Sequence, residues 1–74
     1  MTEEQFRAVL RKQPFQTLVI HTASGEAYTV SHPESIWQDP NGSTVILSAQ
    51  DAGVVLLDAT LVSEVEFLSP RKAK

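Results

Sequence analysis

The fold is decided by a stretch of short apolar segments, STVILSAQDAGVVLLDATLVSEVEF, which occupies residues 43–67. Two of its runs, Thr44 to Leu47 and Val54 to Leu57, carry apolar or β-branched residues at both odd and even positions. Successive side chains of a strand point to opposite faces, so this pattern is typical of strands that are covered on both faces. We expect the N-terminal helix to cover one face and a second copy of the chain to cover the other.

The same pattern predicts candidate interface residues. It leaves open which of the pairs Val54/Leu56 and Val55/Leu57 faces the core, so all four residues are candidates for a subunit contact. Trp37 is a fifth candidate, because aromatic side chains often anchor interfaces. A chain of 74 residues buries only about 60% of its unfolded surface, so self-association would add needed stability.

The charges are divided sharply along the chain. Lys and Arg are absent from residues 14–70, whereas seven acidic residues lie there. We therefore expect no nucleic-acid partner, while a basic protein partner fits the acidic body. Without cysteine there is neither a disulfide nor a thiolate metal site. No apolar run approaches the roughly 18 residues of a membrane span, so we expect no membrane association and a cytoplasmic location.

Helix and turn signals divide the chain into one small domain, residues 1–68, and a basic mobile tail, residues 69–74. Thr2 and Gln5 have the spacing of a capping box and predict a helix over residues 2–12, before Pro14. Five strands should follow. We expect them at residues 17–22, 26–38 with a bend at His32-Pro33, 43–49, 54–58 and 62–68.

One turn and one corner indicate the course of these strands. With Gly25 in the left-handed position of a three-residue loop, Leu18 faces Val30 and Ile20 faces Tyr28, which places the apolar residues on one side. The segment His32-Pro33-Glu34 predicts a structural corner, because Pro33 cannot donate a hydrogen bond to a ladder. The fold class is therefore α+β, mainly β: an N-terminal helix followed by a five-stranded, strongly bent antiparallel sheet that forms a small barrel.

This order of elements resembles the Sm-like small β-barrel, with its N-terminal helix, bent second strand and short corner before the last strand. The residues Gln13-Pro14-Phe15, Ile20-His21, Gly25 and His32-Pro33-Glu34 also resemble a group of short uncharacterised bacterial proteins with a helix-QPF-IH-DG-HPE pattern. The first resemblance implies the barrel fold. Neither implies an activity, and the basic loop residues by which Sm-like proteins hold RNA have no counterpart here.

Candidate chemical groups are few. His21 and His32 lack the i, i+4 spacing of a helical zinc pair, and a site would need the bend to bring both beside Glu34. Asp39, Asp51 and Asp58 lie in or beside turns, where aspartate caps backbone N–H groups. No nucleophile motif or glycine-rich phosphate loop is present. We expect neither catalysis nor a cofactor.

These observations favour a self-associating, homo-oligomeric protein-interaction module. Two alternatives stay open at this point. One is an Sm-like RNA-binding protein whose cations are those of the helix and tail, and the other is an antitoxin or accessory subunit that binds a basic partner protein.

Overall fold

A computed structural model of the chain describes residues 1–49 and 53–68. The elements are α1 (Glu3–Leu10), β1 (Leu18–Thr22), β2 (Ala27–Val30), β3 (Ile36–Gln38), β4 (Thr44–Ala49), β5 (Gly53–Asp58) and β6 (Val62–Phe67). Short 3-10 turns at Pro33–Ser35 and Ala59–Leu61 join β2 to β3 and β5 to β6. The predicted tail, residues 69–74, lies outside the described residues.

The strands form two separate three-stranded antiparallel sheets, ordered β2-β1-β6 and β3-β4-β5, and neither sheet closes within the described residues. The prediction of one five-stranded, strongly bent sheet forming an Sm-like small barrel is therefore wrong. The reason lies at Pro33, where the chain enters a 3-10 turn in which the Ser35 N–H donates to the His32 carbonyl at 3.0 Å. This turn interrupts the expected long strand, and its two halves, β2 and β3, pair in different sheets.

The helix begins as its capping box predicts. The Thr2 hydroxyl accepts from the Gln5 N–H at 3.0 Å, and the Gln5 side-chain oxygen accepts from the Thr2 N–H at 3.0 Å. Two donors that the first helical turn leaves unpaired are satisfied in this way. The helix has only eight residues, so docking must hold it, and Phe6 is completely buried.

The hairpin of β1 and β2 has the predicted register. Leu18 lies opposite Val30 and Ile20 lies opposite Tyr28. Gly25 has φ +95°, the left-handed conformation that the loop requires. The register prediction is confirmed, and it places three of these four side chains in the core.

One core lies between the inner faces of the two sheets and beneath the helix. Its buried residues are Phe6, Leu18, Ile20, Val30, Ile36, Val45, Leu47, Ala49, Ala59 and Val62. In β4 only the alternate residues Val45, Leu47 and Ala49 are buried. Ile46, the apolar residue of the opposite parity in β4, therefore lies on the other face of the strand and outside this core.

The helix is fastened to the turn between β3 and β4. The Gln38 side-chain amide donates to the carbonyls of Glu3, at 3.1 Å, and Gly42, at 2.8 Å. The Arg7 guanidinium donates to the Pro40 carbonyl at 3.2 Å. Gly42 has φ +91°, and a Cβ there would lie 2.9 Å from the end of the flexible Arg7 side chain and 3.1 Å from the Cβ of Glu3 on the helix. The turn thus requires glycine both for its backbone conformation and for space beneath the helix.

Candidate interaction surface

The edge strand β5 divides its apolar residues between two environments. Val55 and Leu57 point inward and pack, half-buried, against the core. Val54 and Leu56 point the other way and are 69% and 66% exposed. Alternation along a strand requires this division, and it identifies the outward pair as the one left without a partner in the described chain.

The outward residues continue across the sheet as a band. Trp37, Ile46 and Leu56 lie opposite one another on β3, β4 and β5 and therefore form one row. Trp37 is 51% exposed and Ile46 is half-buried. With Val54, these residues make the surface that we call the outer face. None of the four side chains is ionisable, although the body around them is acidic.

The structure separates the five predicted interface residues. It brings Val54, Leu56 and Trp37 together on the outer face, whereas Val55 and Leu57 lie on the opposite side of the same sheet. That any of these five residues contributes to an interface stays a prediction. Sequence reasoning missed Ile46, which occupies the centre of the row. Its position between Val45 and Leu47, in a run apolar at both parities, was the available signal.

The backbone of β5 is also open along one side. The Ala59 N–H donates to the Ser43 carbonyl at 2.8 Å, which marks these two residues as a hydrogen-bonded pair. Such pairs alternate in an antiparallel ladder, so Leu57 and Val55 also exchange bonds with β4. The N–H and C=O groups of Val54 and Leu56 consequently point away from β4, toward an edge where the described chain places no strand.

A groove of about 360 Å³ runs beside this open edge, between β5 and the tip of the β1–β2 hairpin. Val55, Leu57 and Leu61 give it an apolar floor, and Glu26 and Tyr28 lie on its hairpin side. The Tyr28 hydroxyl donates to the Glu26 carboxylate at 2.5 Å. This hydrogen bond, with burial and the carboxylate charge, raises the pKa of Tyr28 above 10.0.

The predicted corner borders the outer face, because Glu34 lines one groove together with Trp37, Ile46 and Val54. Pro33 and Glu34 lie in the first 3-10 turn, directly after His32, and all three residues are exposed. His21 instead contacts β6, with 3.3 Å between its Nε2 atom and a Glu66 carboxylate oxygen. Among residues 1–49 and 53–68, no group of three or more His, Asp or Glu side chains could hold a metal ion.

The described turn aspartates have structural partners. The Asp39 carboxylate accepts from the Thr44 N–H at 3.3 Å. Asp58 accepts from both the N–H and the hydroxyl of Thr60, at 2.9 and 2.7 Å, and these two bonds lower the pKa of Asp58 below 3.8. The prediction that these aspartates cap turns is confirmed for both residues. Asp51 lies outside the described residues.

The described residues include no helix that is long and apolar enough to cross a membrane. No family model, no curated protein and no solved structure matches this chain. The resemblance to short bacterial proteins therefore stays a prediction. The outer face and the open edge of β5 remain the features of the described chain that bear on function.

Proposed function

We propose that this protein is a self-associating protein-interaction module without catalytic activity, and that its copies meet through the outer face. The observation that carries the proposal is the exposure of Trp37, Val54 and Leu56 on one side of one sheet. Contiguous exposed apolar groups rimmed by polar ones are typical of interaction sites. Tryptophan is also enriched among the residues that dominate binding energy.

The energies indicate what such an interface needs. Fully burying a Val or Leu side chain contributes about 1.5–3 kcal/mol, so covering the exposed part of Val54 or Leu56 contributes about 1–2 kcal/mol. Two copies supply four such side chains, or about 4–8 kcal/mol. Lost translational and rotational freedom costs about 4–15 kcal/mol. A stable assembly therefore also needs the area of Trp37 and Ile46, or further hydrogen bonds.

The charge distribution favours the same surface. Two copies of an acidic body repel each other, and this repulsion is weakest where the contacting side chains are uncharged. The four side chains of the outer face satisfy that condition, and Glu34 lies at the border of the face rather than within it. An apolar contact of this kind should persist between low and moderate salt, because salt screens charges and leaves burial of apolar surface intact.

The test is the solution mass of two matched variants by light scattering over a concentration series. Leu56→Glu places a charge on the outer face and should give a folded monomer. Ala27→Glu adds the same charge at an exposed position of the other sheet, and it should leave the wild-type mass unchanged. Circular dichroism checks that both variants fold. Equal masses for folded Leu56→Glu and wild type would refute the role of the outer face.

A further inference from the structure

We propose that the open edge of β5 pairs with β5 of a second copy, antiparallel and about a two-fold axis, to join two β3-β4-β5 sheets into one six-stranded sheet. This inference rests on the proposed self-association and specifies its geometry. The outer faces of the two copies would then lie side by side on a continuous sheet, with Val54 and Leu56 of both chains at its centre.

The outward backbone groups of β5, which no described strand pairs, favour a strand as the occupant. The N–H and C=O groups of Val54 and Leu56 point outward from the ladder, and an added strand would satisfy both pairs of groups. The strand has six residues and no proline, so nothing in its sequence blocks such an addition. These ladder bonds are additional to the contacts that Val54 and Leu56 of one copy would make with the same residues of the other.

The side chains of β5 favour a second β5 as that strand. An occupant meets Val54 and Leu56 on one side of the edge and Val55 and Leu57 on the other, so it must be apolar at both parities. Of the strands with an open edge, β6 carries Glu64 and Glu66 at one parity, and β3 has only three residues. The remaining one, β2, has the mixed sequence Ala-Tyr-Thr-Val. Among the described edge strands, only β5 is apolar at both parities, so a second β5 is the strand that fits this edge.

Charge favours this edge. From Gly53 to Leu57, β5 has no ionisable side chain, and the carboxylate beside the edge, Glu26, accepts a hydrogen bond from Tyr28. Antiparallel pairing separates the two copies of Asp58 to opposite ends of the joined strands. The register that opposes Val54 to Leu56 of the other copy pairs the outward backbone groups of both residues in both copies, and it places Asp58 opposite neither apolar side chain. We assign that register.

Cysteine cross-linking tests the geometry directly, because the chain contains no cysteine. A Val54→Cys chain mixed with a Leu56→Cys chain should form a disulfide-linked dimer under mild oxidation, since directly opposed strand residues lie within disulfide reach. A Trp37→Cys chain is the matched control on the same outer face. Its two copies would be five strand spacings apart, roughly 24 Å, and should not link.

Three results would overturn the inference. The first is linkage of Trp37→Cys chains without linkage of the Val54→Cys and Leu56→Cys mixture, which indicates face-to-face stacking. The second is a disulfide between Leu56→Cys and Glu66→Cys chains, which assigns β6 as the occupant. Either result would leave self-association intact. The third is a wild-type monomer at every concentration, which would also refute the proposed function.

Amide hydrogen exchange of the unmodified protein gives a second test that needs no variant. The Leu56 N–H has no partner strand among the described residues of a single chain, and it should become protected as the concentration rises. The Leu57 N–H, already bonded to β4, serves as the internal reference. A Leu56 amide that stays unprotected in an assembled sample would overturn the edge pairing and leave the proposed self-association standing.

Discussion

Replacing Leu47 by alanine should cost a large part of the stability of this domain. Leu47 is 1% exposed and belongs to the shared core, and truncation of such a leucine costs about 2–5 kcal/mol. At roughly 0.05–0.15 kcal/mol per residue, a chain of 74 residues has a total stability of about 4–11 kcal/mol. Urea denaturation followed by circular dichroism should show a midpoint lower by more than about 1 M.

The matched control is Leu56→Ala, the same chemical change at a position 66% exposed. In the limit of low protein concentration its effect should stay within about 0.5 kcal/mol, as for most surface substitutions. At higher concentration it should become destabilising, because the outer face then contributes to assembly. Equal costs for the two variants in dilute solution would refute the assignment of inner and outer faces.

Three further predictions concern particular residues. An alanine in the left-handed conformation costs about 1–2 kcal/mol of folding free energy. Gly25→Ala, with open space around its Cβ position, should cost that amount, and Gly42→Ala should cost more because its Cβ would press against the helix. Unfolding in urea compares the two, and equal costs would argue against the contact of Gly42 with the helix. The single tyrosine, Tyr28, should titrate above 10.0 by tyrosinate absorbance, and Glu26→Ala should bring its pKa back toward that value. Because folding raises the pKa of Tyr28, the stability that its hydrogen bond contributes is fully present below pH 10.0 and is lost as the pH rises through the raised pKa. Folding lowers the pKa of Asp58, so its contribution is present above pH 3.8 and is lost as the pH falls through the lowered pKa. Asp58→Asn should therefore flatten the acid side of the stability profile, and an unchanged profile would contradict the cap.

Local features of this fold could be predicted because short-range chemistry determines them. The hydroxyl of Thr2 and the amide of Gln5 are three residues apart, so their capping bonds depend on no distant part of the chain. The hairpin register likewise follows from Gly25 and from the apolar residues on either side of it.

The sheet arrangement could not be predicted in the same way. Pro33 indicates an interruption, but a bend within one strand and a 3-10 turn between two strands share that signal. Whether the halves stay in one sheet depends on long-range pairing. Sequence reasoning also could not tell which face of β5 lies inward, because Val54 to Leu57 are similar in hydrophobicity. Packing against the distant parts of the core places Val55 and Leu57 inward. Trp37 likewise gives no local sign of its exposure.

The central claim is that the chain self-associates through apolar residues of its outer face, and the solution mass of the unmodified protein tests it most directly. Light scattering over a concentration series, at low and moderate salt, should give a multiple of 8.1 kDa that persists in both salts. A mass of 8.1 kDa at every concentration would contradict the account.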